Sequence, residues 1–172
     1  LAGKTVLVPG CGRGFEACLF AEHGSEVTAV DFSPRALEEA SRLSVKTLGP
    51  LARRITWVRA DVRKLPPEWT ERFDFAAEHA WFCALAPADR QTYLGELHRV
   101  LKPTGRLAGL FYVDFSDSDG PPFGIFQRAL RALLEKRFFH PLHWESHPLD
   151  SWKARKDQEA LVLAQREAIR VL

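Results

Sequence analysis

A chain of 172 residues, 46% apolar and 27% charged, has the length and composition of one packed domain spanning residues 1–172. Its 24 basic and 22 acidic residues leave a net charge of +2, which gives no reason to expect a nucleic acid or other polyanion as partner. No apolar run approaches the length of a membrane span, and Cys11, Cys18 and Cys83 have no metal-ligand spacing. No membrane partner and no metal are therefore expected, and the odd cysteine count predicts reduced thiols in the cytoplasm.

The run Val6 to Gly14, VLVPGCGRG, reads as a buried strand that ends in a loop with glycine at Gly10, Gly12 and Gly14. Phe15 to His23 follow as a helix whose apolar positions Phe15, Cys18 and Leu19 share one face. Glycine tolerates positive φ and presents no side chain, so this loop can bring backbone, including Cys11, against a cofactor at the start of a helix. The plainer reading is a turn that merely joins strand to helix. The dinucleotide pattern G-x-G-x-x-G needs a small residue where Phe15 stands, which argues against a pyrophosphate ligand. G-x-G-x-G resembles instead the first motif of class I S-adenosylmethionine-dependent methyltransferases.

Ser25 to Val30 is a second strand ending in Asp31, at the spacing of a ribose-binding acid, with Phe32 next. Ser33 and Pro34 then cap and start a helix with Leu37 and Ala40 on one face. Ile55 to Ala60 is a third strand, and Asp61 and Val62 at its carboxyl end can meet an adenine. Phe73 to Ala77 is a short central strand followed by the polar and aromatic cluster Glu78, His79, Ala80, Trp81, Phe82 and Cys83. Pro87 to Leu101 is read as a helix, Arg106 to Val113 as strand five, and Phe126, Ala129, Leu130 and Leu133 as the face of another helix. Phe138 to Trp144 and Glu159 to Gln165 complete the strands, and the alternation predicts a doubly wound α/β sheet. His23, His98, His140, His143 and His147 show no ligand pairing and are read as surface or capping residues.

Four blocks widen the resemblance: VPGCGRGFE at Val8 to Glu16, AVDFSPRALE at Ala29 to Glu38, FDFAAEHAWFCAL at Phe73 to Leu85, and DGPPF at Asp119 to Phe123. The chain resembles the thiol, halide and thiopurine methyltransferases of the thiopurine S-methyltransferase-like family. That resemblance implies a Rossmann-like sheet of seven strands with the last antiparallel, helices on both faces, and methyl transfer from S-adenosylmethionine to sulfur or another soft nucleophile in a small molecule. It implies cofactor contacts at Gly10, Gly12, Gly14, Asp31, Phe32, Asp61 and Val62, and it puts His79 beside cofactor and substrate where relatives can carry arginine. A neutral imidazole would grip an anionic acceptor less well than an arginine fork. Methyl transfer to oxygen or nitrogen, and cofactor binding without catalysis, are the competing functions.

Candidate groups for taking a proton from a thiol are Glu78, His79, Asp114 and Asp119, each of which can equally be a turn or surface residue. Trp81, Phe82, Tyr112 and Phe123 can line an apolar pocket around a sulfonium, with core packing as the alternative. A monomer or weak homodimer is expected. The chain contains no methionine, even at position 1, so a covering N-terminal segment is expected to lie outside it.

Overall fold

The computed structural model describes residues 1–115, 119–151 and 153–168. Seven strands form one sheet in the order β3-β2-β1-β4-β5-β7-β6. They are β1 (Thr5–Pro9), β2 (Glu26–Asp31), β3 (Ile55–Arg59), β4 (Phe73–His79), β5 (Leu101–Tyr112), β6 (Phe139–Ser146) and β7 (Glu159–Arg166). The pairs β1–β2, β1–β4, β2–β3 and β4–β5 are parallel, whereas β7 runs antiparallel to both β5 and β6. This is the sheet that the family resemblance implied.

Helices cover both faces, which explains why the central strands are apolar almost throughout rather than alternating. Against one face Tyr93, Leu94 and Leu97 of α3 (Arg90–Val100) and Leu130 and Leu134 of α4 (Gln127–Lys136) pack on Leu7, Ala76, Leu107 and Val162. Against the other, Ala17 and Ala21 of α1 (Phe15–Glu22) and Leu37 of α2 (Pro34–Leu48) meet Val6, Val8 and Ala29. Each fully buried Leu, Phe or Val contributes about 1.5–3 kcal/mol through loss of apolar surface. Ser33 caps α2, its side chain accepting from the Ala36 N–H at 3.2 Å, with Pro34 in the first turn.

Several expected faces are corrected. On α1 it is Ala17 and Ala21 that lie against the sheet, while Phe15 and Leu19 are exposed, because the left-handed backbone at Gly14 turns the helix so that small residues meet the strands. Helix α3 starts only at Arg90, after a 3₁₀ turn over Pro87–Asp89. Strand β5 begins at Leu101, which pairs with Phe73, and a register shift then carries Arg106 opposite Phe75. Phe126 is exposed, and Leu134 takes the buried place in α4. His98 is buried, with Nε2 2.7 Å from the Glu167 carbonyl oxygen and its ring against Phe138 and Phe139.

Candidate functional site

The carboxyl ends of the parallel strands are where an open α/β sheet leaves its crevice, and a cavity of about 360 Å³ opens there. Its floor is Gly10 at the end of β1 and Asp31 at the end of β2. Its walls are Phe32, Ala60, Val62, Trp81 and Leu85, with Asp61, Arg63 and Asp89 at the rim. Asp31 is buried, and each of its oxygens already holds one backbone N–H: Gly12 donates to Oδ2 and Ser33 to Oδ1, both at 2.9 Å. The carboxylate thus fixes the glycine loop and still has lone pairs left on the cavity side. Arg63 bridges Asp61 and Asp89 at 2.7 and 2.8 Å and ties the end of β3 to the turn before α3. The Arg63 guanidinium beside Asp61 holds that carboxyl below its ordinary range.

The glycines of the loop have different tasks. Gly10 has φ +62°, and a Cβ there would stand 2.3 Å from the Trp81 ring, so glycine lets the indole lie flat on the loop. Gly14 has φ +73° and packs on Trp57, whereas a Cβ on Gly12 would meet nothing within 4 Å. Gly10→Ala is therefore expected to cost about 2–5 kcal/mol, overpacking adding to the strain of a left-handed alanine, and Gly12→Ala about 1–2. Urea denaturation of both variants checks the order. Trp81 also tilts against Phe32, with ring centroids 6.2 Å apart, and its indole N–H is buried with no hydrogen-bond partner among the described residues.

Of the residues expected at the cofactor, this cavity gathers Gly10, Asp31, Phe32, Asp61 and Val62, and adds Trp81, which had been assigned to the acceptor. Cys11 lies behind the loop in the core, where burial pushes its thiol up to about 12, and it offers no reactive thiolate. Glu78 is enclosed: Oε1 accepts from the Phe82 N–H at 2.8 Å and Oε2 from the Tyr93 hydroxyl at 2.6 Å. Phe82 lies in the core against Phe111 and Tyr93, not in a pocket wall. Asp114 caps α4, accepting from the Gln127 N–H at 3.0 Å and from the Gln127 amide at 2.5 Å. Asp119 is exposed, and Phe123 is fixed by its N–H donating to the Cys83 carbonyl while Arg90 donates to its own carbonyl at 2.6 Å.

His79 faces a second cavity, of about 620 Å³, on the α1 side of β4, β5 and β7. Leu110 and Leu161 form its floor, and His79, Ser151, Arg155 and Glu159 bring polar groups to it. The His79 Nδ1–H donates to Glu16 in the first turn of α1, and this hydrogen bond raises the imidazole pKa against the opposing effect of burial. The hydrogen bond to Glu16 thus favours the protonated form of His79. Tyr112 borders the site, its ring under the Arg155 guanidinium at 4.9 Å and its hydroxyl 3.2 Å from Gln158 Oε1. Arg155 and Glu159 were missed in the sequence. Glu159 opens the strand read from Glu159 to Gln165 and Arg155 precedes it, and no local motif links either to His79.

Among the described residues no cluster of His, Cys, Asp or Glu is arranged to hold a metal ion, and no helix is long and apolar enough to cross a membrane. Solved structures share the fold. A SAM-dependent methyltransferase from Methanosarcina mazei superposes with a TM-score of 0.83 at 19% identity, covering 97% of this chain and 94% of that one. The 1,6-didemethyltoxoflavin-N1-methyltransferase of Burkholderia thailandensis, solved with its acceptor and S-adenosylhomocysteine, gives 0.77 at 24%, covering 97% and 72%. The architecture is thus that of the Rossmann-like methyltransferases.

Within that class, the family model for thiopurine S-methyltransferase (TPMT) matches residues 1–170, and the chain belongs to this family. It is 32% identical to thiocyanate methyltransferase 1 of Brassica oleracea over 157 residues, 90% of this chain and 66% of that protein. It is 31% identical to the thiopurine S-methyltransferase of Pseudomonas aeruginosa (strain UCBPP-PA14) over 142 residues, 76% of this chain and 65% of that one. The chain therefore spans slightly less than two thirds of these relatives.

Proposed function

We propose that this protein transfers a methyl group from S-adenosylmethionine to the sulfur of a small molecule, a thiol or another soft nucleophile. The observation that carries the reading is the first cavity: a buried acid at the end of β2, apolar slabs above and below, and a glycine floor. Asp31 would hold the ribose hydroxyls, Val62, Phe32 and Leu85 the adenine, and the Gly10–Gly14 loop the methionine end. The orphaned Trp81 N–H fits a site completed by a polar ligand. Bound there, S-adenosylmethionine supplies a methyl group already activated by its sulfonium.

The chain then has to align the acceptor, exclude water and manage one proton. One lining residue of each cavity, His79 of the second and Trp81 of the first, lies at the end of β4, two residues apart in the sequence. The apolar floor of the second cavity suits the body of a small acceptor, and His79, whose pKa the Glu16 hydrogen bond raises, suits a sulfur that gains negative charge. Three free cysteines support the cytoplasm as the protein's compartment.

Incubation with labelled S-adenosylmethionine and a panel of thiol, thiocyanate, hydroxyl and amine acceptors tests the reading. Label is expected on sulfur. Transfer confined to oxygen or nitrogen, or binding of S-adenosylhomocysteine without any turnover, overturns it.

A further inference from the structure

The second cavity holds an unanswered carboxylate. Glu159 is 3% exposed, its Oε1 stands 3.8 Å from the Arg155 guanidinium, and its Oε2 has no hydrogen-bond partner among the described residues. The Ser151 hydroxyl in the same wall is likewise without one. Leaving a buried polar atom unpaired costs about 1–3 kcal/mol, so an orphan of this kind that lines a cavity points to a ligand that supplies the missing donor.

Its position follows from the topology. Because β7 is antiparallel, its first residue, Glu159, pairs with Tyr112 at the end of β5, two residues beyond Leu110, which itself pairs with His79. Glu159 and Leu161 therefore project from the same face of the sheet as Leu110 and His79. The charged groups around the carboxylate are His79 from β4, Arg155 from the preceding turn and Asp150 from the loop before it, with Glu16 of α1 behind His79. Of the other acids nominated for proton transfer, Glu78 is committed to Phe82 and Tyr93 and Asp114 to α4.

We propose that Glu159 is the catalytic base and that the acceptor class is a neutral thiol, which enters as R–S–H and donates its hydrogen bond to Oε2. This rests on the methyl-transfer reading above. Glu159 takes the thiol proton as the sulfur lone pair forms its bond to the methyl carbon. The methyl–sulfonium bond breaks, its electron pair returns to the donor sulfur, and Glu159 later releases the proton to water. His79 and Arg155 flank the sulfur while it carries charge, and Leu110 and Leu161 contact the substituent R.

The test compares the wild type with Glu159→Gln, which keeps the shape and removes the base. With an alkanethiol at about pH 6.5, roughly two units below an ordinary thiol pKa, kcat/KM is expected to fall about 100-fold. The deficit is expected to close as the pH rises past the thiol's own pKa, while calorimetry finds the affinity for S-adenosylhomocysteine within two-fold of wild type. An equal deficit at every pH, or none, overturns the assignment. A wild-type measurement stands beside it in case the variant fails to fold: kcat/KM for the thiol is expected to rise far less than ten-fold per pH unit below the thiol's own pKa, because the proton leaves on the enzyme. A ten-fold rise per pH unit means that the thiolate forms in solution, and overturns the role of Glu159 alone. Absence of transfer to any sulfur acceptor by the wild type overturns the methyl-transfer reading instead.

Discussion

Replacing Asp31 by alanine is expected to raise the Kd for S-adenosylhomocysteine at least 100-fold, the largest single loss in the donor cavity. Two contributions combine. A hydrogen bond to a charged group is worth about 1.5–3 kcal/mol, and losing two of them to ribose hydroxyls exceeds the roughly 2.7 kcal/mol that 100-fold represents. The same carboxylate pins the loop through the Gly12 N–H and the following turn through the Ser33 N–H, so the alanine variant also loosens the glycine floor. Asp31→Asn is not a silent control. Whichever way the amide is turned, its NH₂ faces one of those two backbone donors, so it is expected to fall between wild type and alanine. Isothermal calorimetry reads all three, and a Kd within three-fold of wild type for the alanine variant contradicts the ribose assignment.

Glu78→Gln is expected to stabilise the protein at pH 8 while Glu78→Leu destabilises it. Burial pushes the Glu78 carboxyl up to about 7, from 4.5 when unfolded, against the opposing hydrogen bonds from Tyr93 and Phe82. The folded state thus holds the proton more tightly than the unfolded chain. The stabilisation from Glu78 is complete below about pH 4.5 and is lost as the pH rises through about 7. A gap of 2.5 pH units, 7 minus 4.5, corresponds to about 3 kcal/mol. Glutamine stays neutral at every pH and so escapes that loss, its oxygen accepting from Phe82 and its NH₂ donating to the Tyr93 oxygen, although the Tyr93 O–H gives up the acceptor it had in Glu78. Leucine strands a buried N–H and a buried hydroxyl at about 1–3 kcal/mol each. Urea denaturation at pH 5 and pH 8 decides the matter: the wild type should be the more pH-sensitive of wild type and glutamine variant, and equal slopes defeat the assignment.

The sheet was legible because its signals are local. Val6 to Gly14 carries an apolar strand, three turn-forming glycines and a helix start in one run, and Asp31 follows at a fixed spacing, so the ends of β1 and β2, where the first cavity opens, were marked by the sequence. Which residue of a cluster faces inward was not legible. Glu78 and His79 are neighbours, yet the alternation of β4 sends one into the core towards Tyr93 and the other out towards Glu16. In the 3₁₀ turn beyond β4, Phe82 goes to the core and Trp81 to the loop. Glu159 escaped because its partners, His79 and Arg155, belong to different elements and meet only when β7 is laid antiparallel beside β5.

The direction of that strand separates two kinds of inheritance within one fold. Parallel strands present their ends at the crevice, so the proposed donor contacts are written in the residues that follow β1, β2, β3 and β4. Strand β7 presents its beginning, so Glu159 and Arg155 are aimed by the segment that precedes it, between β6 and β7. On the proposed assignment, lengthening or re-spacing that one connection re-aims the acceptor groups and leaves the donor cradle untouched. A lineage can thus change the molecule it methylates by editing a single hairpin, and an engineer who wants a new acceptor should randomise there first.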